Sequence, residues 1–358
     1  MTTRIETPTG TDELTEFVRF HDRVYAGRGA HWPAFVPLEL PILAGESPFC
    51  ERRRVRPFVA RENGTVVARG LAVIDERYWQ HWNDRIGHVV MFEALPGTRA
   101  AVRALMDTAC EWLAGEGAIA ARAGFGMMDM PFVIDDYGAL PPMILRHNPA
   151  YYHALLKDAG FESEQGFVDY RIAVTPELVA RWESALEGAR RAGYRLVPLR
   201  EIAEADRPGL TADLFNDTFK AHWGITPATA AEQALLFRLF EPMGFLDTCV
   251  IAYRGDDPVG QVTVVPEGTA TAAVASGRTL ADTEKLNWLG IGVREAARGR
   301  GVNLAMAAYA YLELVRRGAT HVSYTLVLDD NWPSRRTAEK LGAEVCASFL
   351  AYRRELKR

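Results

Sequence analysis

Apolar and polar positions follow one another along the chain in blocks that predict a series of helices and strands. Apolar residues at three- and four-residue spacing predict a helix over residues 11–28. Two apolar runs on either side of Asn63-Gly64 predict a β-hairpin, because this dipeptide favours the tight turn between antiparallel strands. Further strands are predicted over residues 86–95, 118–123 and 167–174, with helices over residues 97–115 and 151–160. The first half is therefore predicted to run helix, hairpin, strand, helix, strand, loop, helix, strand.

The second half repeats this order of elements after a helix predicted over residues 175–193. Its elements are a strand over residues 196–199, helices over 210–223 and 229–240, a hairpin over 245–265, strands over 271–275 and 286–293, a helix after residue 301 and a strand over 320–328. The repetition concerns element order, with little residue identity, and its period is far too long for a solenoid. It predicts two α/β domains, residues 1–174 and 196–358, joined by a linker helix over residues 175–195.

A proline-rich stretch over residues 29–57 follows the first predicted helix and contains His31 and Trp32. It is interpreted either as an ordered loop packed by its aromatic residues or as a wall of a ligand cleft. The sequence does not decide between these two interpretations.

Composition excludes several classes of protein. A net charge of −5 disfavours general nucleic-acid binding, which usually requires a basic surface. The four cysteines lie far apart without metal-binding or redox spacing, so they are interpreted as reduced core residues. No apolar run is long enough to span a bilayer, and the polar N-terminus does not resemble a secretion signal. A cytoplasmic protein without nucleic-acid or membrane partners is expected, with a homodimer left open as its assembly state.

The stretch from the strand at residues 286–293 to the helix after Gly301 contains the strongest chemical signal. Between these elements lies Arg298-Gly299-Arg300-Gly301. The first N–H groups of a helix have no internal acceptor and lie at the positive end of the helix dipole. A glycine-rich turn that opens a helix is therefore suited to bind phosphate.

This motif resembles the acyl-CoA-binding motif of the GNAT superfamily, the GCN5-related N-acetyltransferases. The family pattern is Arg/Gln-x-x-Gly-x-Gly/Ala, and Asn303 stands at its last position here. Downstream, Asn331 and the run over residues 338–343 resemble the family's Asn-x-x-Ala and Gly-Phe helix. In the first half, the run over residues 148–161 resembles the same second motif. The whole chain is similar to bacterial tandem-GNAT proteins, which implies two GNAT-like α/β (α+β) domains with mixed, mostly antiparallel sheets.

The resemblance implies acetyl-CoA or another acyl-CoA as co-substrate and no metal. The implied cofactor-binding residues are Ile291, Val293, Arg298, Gly299, Arg300, Gly301, Val302, Asn303, Asn331 and Ser334. The corresponding turn of the first half, Pro96-Gly97-Thr98-Arg99, has one glycine and a proline, so fewer N–H donors converge there. The first domain is therefore interpreted as a degenerate copy that does not hold CoA in the usual way.

Acyl transfer to an amine requires a polarised thioester carbonyl, a deprotonated amine and a stabilised thiolate. In the family a backbone N–H of the motif strand polarises the carbonyl, which here falls near Gly292 and Val293. The family's acidic Tyr is replaced by Ala338. Another hydroxyl therefore serves, or the thiolate leaves unaided, since thiolates are fair leaving groups near neutral pH. The replacement hydroxyls are predicted to be Tyr324 or Tyr352, with Tyr309 as a further alternative.

Glu284 is predicted to be the general base, because it lies just before the motif strand, where the family often places a carboxylate. The alternatives are Asp282, Glu267 and His222, and His222 is interpreted mainly as a packing residue.

Two function hypotheses result. The first is an acyl-CoA-dependent N-acyltransferase, favoured as an acetyltransferase, that acts on a small amine or amino-acid-like acceptor. The second is a noncatalytic acyl-CoA-binding protein, for which Ala338 and Asn303 would be signs of lost activity. Fem-like transfer from aminoacyl-tRNA is a weaker alternative, because the chain is acidic.

Overall fold

The computed structural model describes residues 3–27, 30–266 and 279–357. The strand predicted over residues 271–275 and the alternative base Glu267 lie outside these described residues. Within the described part of the chain, no helix is both long and apolar enough to cross a membrane.

Helices and strands alternate along both halves of the chain. The helices are α1 Thr11–Tyr25, α2 Val36–Leu43, α3 Glu76–Trp82, α4 Arg99–Gly115, α5 Tyr152–Asp158, α6 Pro176–Arg191, α7 Arg207–Thr218, α8 Ala230–Phe240, α9 Phe245–Thr248, α10 Val302–Arg316 and α11 Trp332–Lys340. The strands are β1 Thr3–Glu6, β2 Arg53–Glu62, β3 Thr65–Asp75, β4 Ile86–Ala94, β5 Ala120–Ala123, β6 Phe132–Val133, β7 Glu162–Ala173, β8 Tyr194–Pro198, β9 Val250–Arg254, β10 Asp257–Val265, β11 Trp288–Val293, β12 His321–Leu328 and β13 Glu344–Glu355.

The described strands form two sheets. The larger has nine strands in the order β1-β2-β3-β4-β5-β13-β7-β12, with β6 paired to β13. The smaller has four strands in the order β11-β10-β9-β8. Among the described ladders, β4 and β5 pair in parallel and the others are antiparallel. These mixed, mostly antiparallel sheets confirm the predicted fold class.

The two halves of the chain exchange strands. The C-terminal strand β13 lies between β5 and β7 of the first half, with Tyr352 opposite Ala123. In turn, β7 pairs with β12 of the second half, with Tyr170 opposite Tyr324. The larger sheet therefore contains strands from both halves. The division at residues 175–195 stays a proposal about the order of units along the chain.

The predicted linker helix belongs to the core of the second half. Trp182 of α6 is 1% exposed and packs on Tyr311 of α10, with ring centroids 5.2 Å apart. Because an indole ring buries a large apolar area, this contact fixes α6 on the face of α10. A separate apolar core lies in the first half, where α4 covers β2 and β3.

The proline-rich stretch contains a helix that the sequence did not predict. Pro37 stands in the first turn of α2, where a missing N–H costs no intrahelical hydrogen bond. The helix presents Leu38 and Ile42 to the first core, where both are buried. Helix α3 was also not predicted; Asp75 caps it by accepting hydrogen bonds from Arg77 N and Tyr78 N.

Candidate active site in the second half

Strands β11 and β12 run side by side without forming a ladder among the described strands, so a cleft separates them. Side-chain hydrogen bonds join the two strands at the end of the cleft near Asn287. Asn287 accepts a hydrogen bond from Ser323 N (2.9 Å) and donates one to Ser323 O (3.1 Å). Thr325 Oγ1 accepts from Leu289 N (2.8 Å) and donates to Leu289 O (2.7 Å). These bonds replace a backbone ladder and set the point from which the two strands diverge.

The backbone of β11 turns alternate residues toward the cleft. The backbone N–H and C=O groups of Leu289 bond to Thr325 on the cleft side. Strand alternation therefore points the backbone groups of Ile291 and Val293 toward the cleft as well. Gly292 turns its backbone groups toward β10 instead. The sequence places the polarising N–H near Gly292 and Val293; Val293 N–H and Ile291 N–H both point toward the cleft, and Ile291 also lines the cavity described below.

Strand β12 is bulged where it faces the cleft. Leu326 has a φ of 45°, and the pairing with β7 shifts register between Tyr324 and Val327. Asp169 of β7 accepts a hydrogen bond from Leu326 N at 3.2 Å. Burial raises the pKa of the Asp169 carboxyl to about 8, although backbone hydrogen bonds oppose the shift.

The turn between β11 and α10 has the geometry of an anion site. Gly299 and Gly301 have φ values of 74° and 79°, which side chains other than glycine rarely adopt. Intrahelical bonding in α10 begins with Ala305 N donating to Gly301 O (3.1 Å), so the preceding N–H groups lack intrahelical acceptors. Among the residues that the structure describes, none lies within 4 Å of a Cβ added at either glycine. The turn is therefore open to a pyrophosphate and fits one.

The other predicted cofactor residues lie around this turn and along the cleft. Arg298 Nε donates to Val293 O (3.0 Å), while Arg300 is exposed. Val302 is buried under the turn, and Asn303 Nδ2 donates to Thr337 Oγ1 at 3.1 Å. Asn303 therefore ties α10 to α11 by this bond, and its side chain need not crowd the turn.

At the far side of the cleft, Asn331 caps α11 by accepting a hydrogen bond from Ser334 N at 3.3 Å. Ser334 Oγ lies 3.0 Å from Tyr324 OH. Burial raises the pKa of Tyr324 to about 12, so this hydroxyl keeps its proton at neutral pH. Tyr324, Ser334 and Asn331 all line the cavity described next. Of the three predicted catalytic residues, Tyr324 lies at this cleft.

A cavity of about 340 Å³ opens beside the cleft. Its walls are mainly apolar and come from both halves of the chain. They include Gly290 and Ile291 of β11, Leu326 and Val327 of β12, Phe215 and Phe219 near the end of α7, and residues 125–130 from the first half. The sequence predicted the cleft side of this cavity but not the wall from the first half, because no local signal marks residues 125–130.

His222 lines the same cavity, although the sequence favoured a packing role for it. Its ring meets Phe219 edge-on, and its Nδ1 lies 3.2 Å from Trp223 O. A carbonyl oxygen only accepts hydrogen bonds, so in neutral His222 the proton is on Nδ1 and Nε2 carries a lone pair. Burial lowers the pKa of His222, which keeps the ring neutral at neutral pH. His222 thus has the protonation state of a base.

Glu284 and Tyr352, the other predicted catalytic residues, lie elsewhere. The Glu284 carboxylate accepts hydrogen bonds from Ala281 N and Leu140 N, both at 3.0 Å, and it lines neither of the two cavities described here. Tyr352 OH bonds to His153 Nδ1 (2.6 Å) inside the first half. These contacts favour structural roles for both side chains. Among the alternatives, Asp282 is exposed and pairs with Lys285.

Ala338 is fully buried in the second core. A tyrosine introduced there would have to enter the packed face of α11. The family's acidic hydroxyl therefore has no equivalent position open to the cleft at this residue.

In the first half, side chains of the protein form hydrogen bonds with the backbone groups at the edge of β4. Pairing of β4 with β5 ends at Val89, and beyond it Arg146 Nη1 donates to Phe92 O at 3.0 Å. Tyr151 OH donates to Ala94 O (2.7 Å), and Tyr152 OH accepts from Ala94 N (2.8 Å). The tyrosines belong to the stretch that resembles the second family motif, so this motif fills a cleft instead of opening one.

Comparisons with known proteins agree with this geometry. The acetyltransferase (GNAT) family model matches residues 211–343, which include the cleft and the glycine-rich turn before α10. The bacterial ceramide synthase of Caulobacter vibrioides is 25% identical over 281 residues, covering 75% of this chain and 71% of its own. Protein YghO of Escherichia coli is 20% identical, covering 96% of this chain and 93% of its own.

Among solved structures, a tandem GNAT protein from the clavulanic acid biosynthesis pathway matches with a TM-score of 0.61 and 14% identity. The match covers 100% of this chain and 99% of that protein, and at this identity it shows the fold alone. The family model thus matches the part of the chain that contains the cleft and the turn before α10, and the solved structure shows that the two halves have the fold of a tandem GNAT protein.

Proposed function

We propose that the protein is an acyl-CoA-dependent N-acyltransferase whose acceptor is an amine or amino-acid-like compound. The observation that carries the proposal is the course of β11. This strand leads from the open Gly299–Gly301 turn, past the cleft, to Ile291 and Gly290 in the wall of the apolar cavity. A CoA pyrophosphate at the turn would place the pantetheine arm along the cleft and the thioester at the cavity.

The chain's own groups would serve the three steps of acyl transfer. Ile291 N–H turns toward the cleft and would donate to the oxygen that becomes negative in the transition state. His222 Nε2 would accept the proton that the ammonium of the acceptor must lose before it attacks. As the new amide bond forms and the C–S bond breaks, the nitrogen loses its second proton and the sulfur leaves as a thiolate that takes up a proton, so free CoA is the second product. Tyr324 OH at the cavity wall is the available hydroxyl to protonate it.

The size of the cavity favours an acyl group longer than acetyl. A volume of 340 Å³ is far more than the roughly 10–15 Å³ that a single water needs, and an acetyl group has three heavy atoms. An apolar wall of this extent gains most from an aliphatic chain. A ceramide synthase among the relatives is consistent with a lipid-type acyl chain.

The test is to identify the acyl donor and then the reaction. The purified protein is analysed by native mass spectrometry for bound CoA species. It is then incubated with acetyl-, octanoyl- and palmitoyl-CoA and a panel of amines while free thiol and amide product are measured. Amide formation, faster with the longer donors, is expected. CoA binding without release for every pair of donor and amine would favour the noncatalytic acyl-CoA-binding alternative.

A further inference from the structure

A second cavity, of about 420 Å³, is lined mainly by the first half of the chain and lies next to the apolar cavity. The two share part of their walls: Met127, Met128, Asp129, Ile144 and Phe240 line both. The second cavity also takes His31 and Trp32 from the proline-rich stretch, so that stretch does form the wall of a cavity. Most of its lining is apolar, as in the apolar cavity, but it also contains a set of charged side chains.

Three cationic and three anionic side chains line this second cavity. The cations are Arg69, Arg146 and His21, and the anions are Glu39, Glu93 and Asp129. His21 belongs to the cations because Nδ1 faces Glu93 Oε1 and Nε2 faces Trp32 O, both at 2.9 Å and both acceptors only. The carboxylate of Glu93 accordingly raises the pKa of His21 against the effect of burial. The lining is therefore charged but formally neutral.

Asp129 lines both cavities. One of its carboxylate oxygens is hydrogen-bonded and the other is not. Arg146 donates to Oδ1 through Nε and lies 3.0 Å from it through Nη2 as well. Asp129 Oδ2 is buried and has no hydrogen-bond partner within the described residues. The side chain is 9% exposed, so bulk water does not satisfy this oxygen. A buried, unpaired carboxylate oxygen is costly, and its natural partner is a cationic donor.

Arg69 has the complementary feature, a hydrogen-bond donor without an acceptor among the described residues. Its Nη1 donates to Phe17 O (2.7 Å), Val18 O (3.1 Å) and Glu39 Oε2 (3.2 Å), which fixes the guanidinium. Its Nε is buried and has no acceptor among the residues that the structure describes. Asp129 and Arg69 both line this cavity, and each has one buried side-chain atom without a hydrogen-bond partner among the described residues.

We propose that this charge-balanced cavity is the binding site for the polar end of the acceptor, an amino compound that also carries a hydroxyl or carboxylate oxygen. The ammonium pairs with Asp129 Oδ2, at the wall shared with the cavity that would hold the thioester, and the oxygen accepts from Arg69 Nε. A neutral lining disfavours multiply charged anions such as phosphate esters and suits an amino alcohol or a zwitterionic amino acid. The proposal rests on the proposed function, because it names the acceptor of that reaction.

The test measures amine binding directly, without acyl transfer. Serinol, L-serine, propylamine and propanol are titrated into the acyl-CoA-free protein and followed by saturation-transfer NMR and calorimetry. Serinol or L-serine is expected to bind at least tenfold more tightly than propylamine, which lacks the oxygen, and propanol, which lacks the ammonium. Asp129→Asn keeps the shape of the side chain but removes its charge, and it is expected to weaken binding at least tenfold without changing CoA affinity.

Asp256→Asn, in an exposed turn, is the matched control and should bind as wild type does. If Asp129→Asn fails to fold, Met143→Trp fills the second cavity from its wall and should abolish amine binding. Failure of all four probes to bind wild type, or unchanged serinol binding in the folded variants, would overturn the proposal. Selective amine binding without any amide formation would leave this site standing and refute the proposed function instead.

Discussion

Thr325 joins the two strands of the cleft by bonding through its hydroxyl to both backbone groups of Leu289. Thr325→Val keeps the shape but leaves a buried N–H and C=O without partners. Since each unsatisfied buried group costs about 1–3 kcal/mol, we expect ~2–4 kcal/mol of destabilisation in urea unfolding. Thr325→Ser retains the hydroxyl and should lose much less. Equal midpoints for the two variants would show that the hydroxyl does not hold the strands together.

Acyl-CoA is expected to bind at the turn before α10 and not at its counterpart in the first half. Gly301→Glu places a carboxylate where the pyrophosphate would lie, and it should weaken CoA binding at least tenfold in calorimetry. Gly97→Glu is a close control, because Gly97 has a φ of 80° against 79° for Gly301 and both have open space around an added Cβ. Backbone strain is therefore the same in both variants. Equal loss of CoA affinity in the two would contradict the assignment.

His222 is expected to be the base, in place of the Glu284 favoured by the sequence. Burial lowers the pKa of His222 below its usual 6.5, so turnover should rise with pH through that lower pKa and be level at neutral pH. His222→Gln should reduce turnover by ~10²–10⁴-fold and remove this acidic limb.

Glu284→Gln provides the comparison, because the Glu284 carboxylate accepts two backbone N–H groups. Its expected effect is a loss of stability with the shape of the pH profile unchanged. Initial rates of thiol release between pH 5 and 8 measure both variants. A Glu284→Gln enzyme without the acidic limb would return the role of base to Glu284.

The part of the site that sequence could predict is the part built from neighbouring residues. The turn at residues 298–301 needs only a strand, two glycines and a helix in succession, so its geometry follows from local sequence. The placement of β13 between β5 and β7 depends on pairings between residues more than 170 positions apart in the chain, such as Ser348 with Val168. Periodicity identifies strands but does not choose their partners.

The second cavity was unpredictable for the same reason. Asp129, Arg69 and His21 come from a loop, a strand and a helix that no motif connects. Read singly, each is an ordinary charged residue, and their burial together becomes visible only in the fold. Ala338 shows the converse case, because its departure from the family pattern is visible in the sequence, whereas its burial is visible only in the fold.

Asp169 is expected to make stability depend on pH. Its pKa is raised from 3.8 to about 8, so between these values the folded protein binds a proton that the unfolded chain has lost. This contribution to stability is present below pH 3.8 and is lost as the pH rises toward 8. Asp169→Asn, which cannot ionise, should therefore be about 6 kcal/mol more stable than wild type at pH 8, given about 1.4 kcal/mol for each unit between 3.8 and about 8.

Urea unfolding at several pH values between 5 and 8 measures this difference, with Asp256→Asn as an exposed control. The advantage of Asp169→Asn should grow steadily with pH. A constant difference across the range would mean that Asp169 is already ionised in the folded protein.

The buried carboxylate of Glu232 on α8 also joins the two halves. Its Oε1 lies 2.6 Å from Arg53 Nη1 and also pairs with Arg77, and Oε2 accepts from Arg77 Nη1 at 3.1 Å. The side chains of Arg53 and Glu232 are each 4% exposed. Removing one partner leaves buried charge uncompensated, so Glu232→Ala should cost about 3–5 kcal/mol in urea unfolding.

Glu232 also caps α8 by accepting from Thr229 N at 2.8 Å, and the two roles can be separated. Glu232→Gln keeps an acceptor for Thr229 N but removes the charge. It should therefore retain the cap and still lose most of the stability that Glu232→Ala loses. Glu241→Ala, at the other end of the same helix and exposed, controls for general effects on α8. If Glu232→Gln were as stable as wild type, the cap and not the pairing with Arg53 and Arg77 would account for the loss in Glu232→Ala. A large loss in both Glu232 variants would instead mean that the buried charge itself holds α8 of the second half against the arginines of the first.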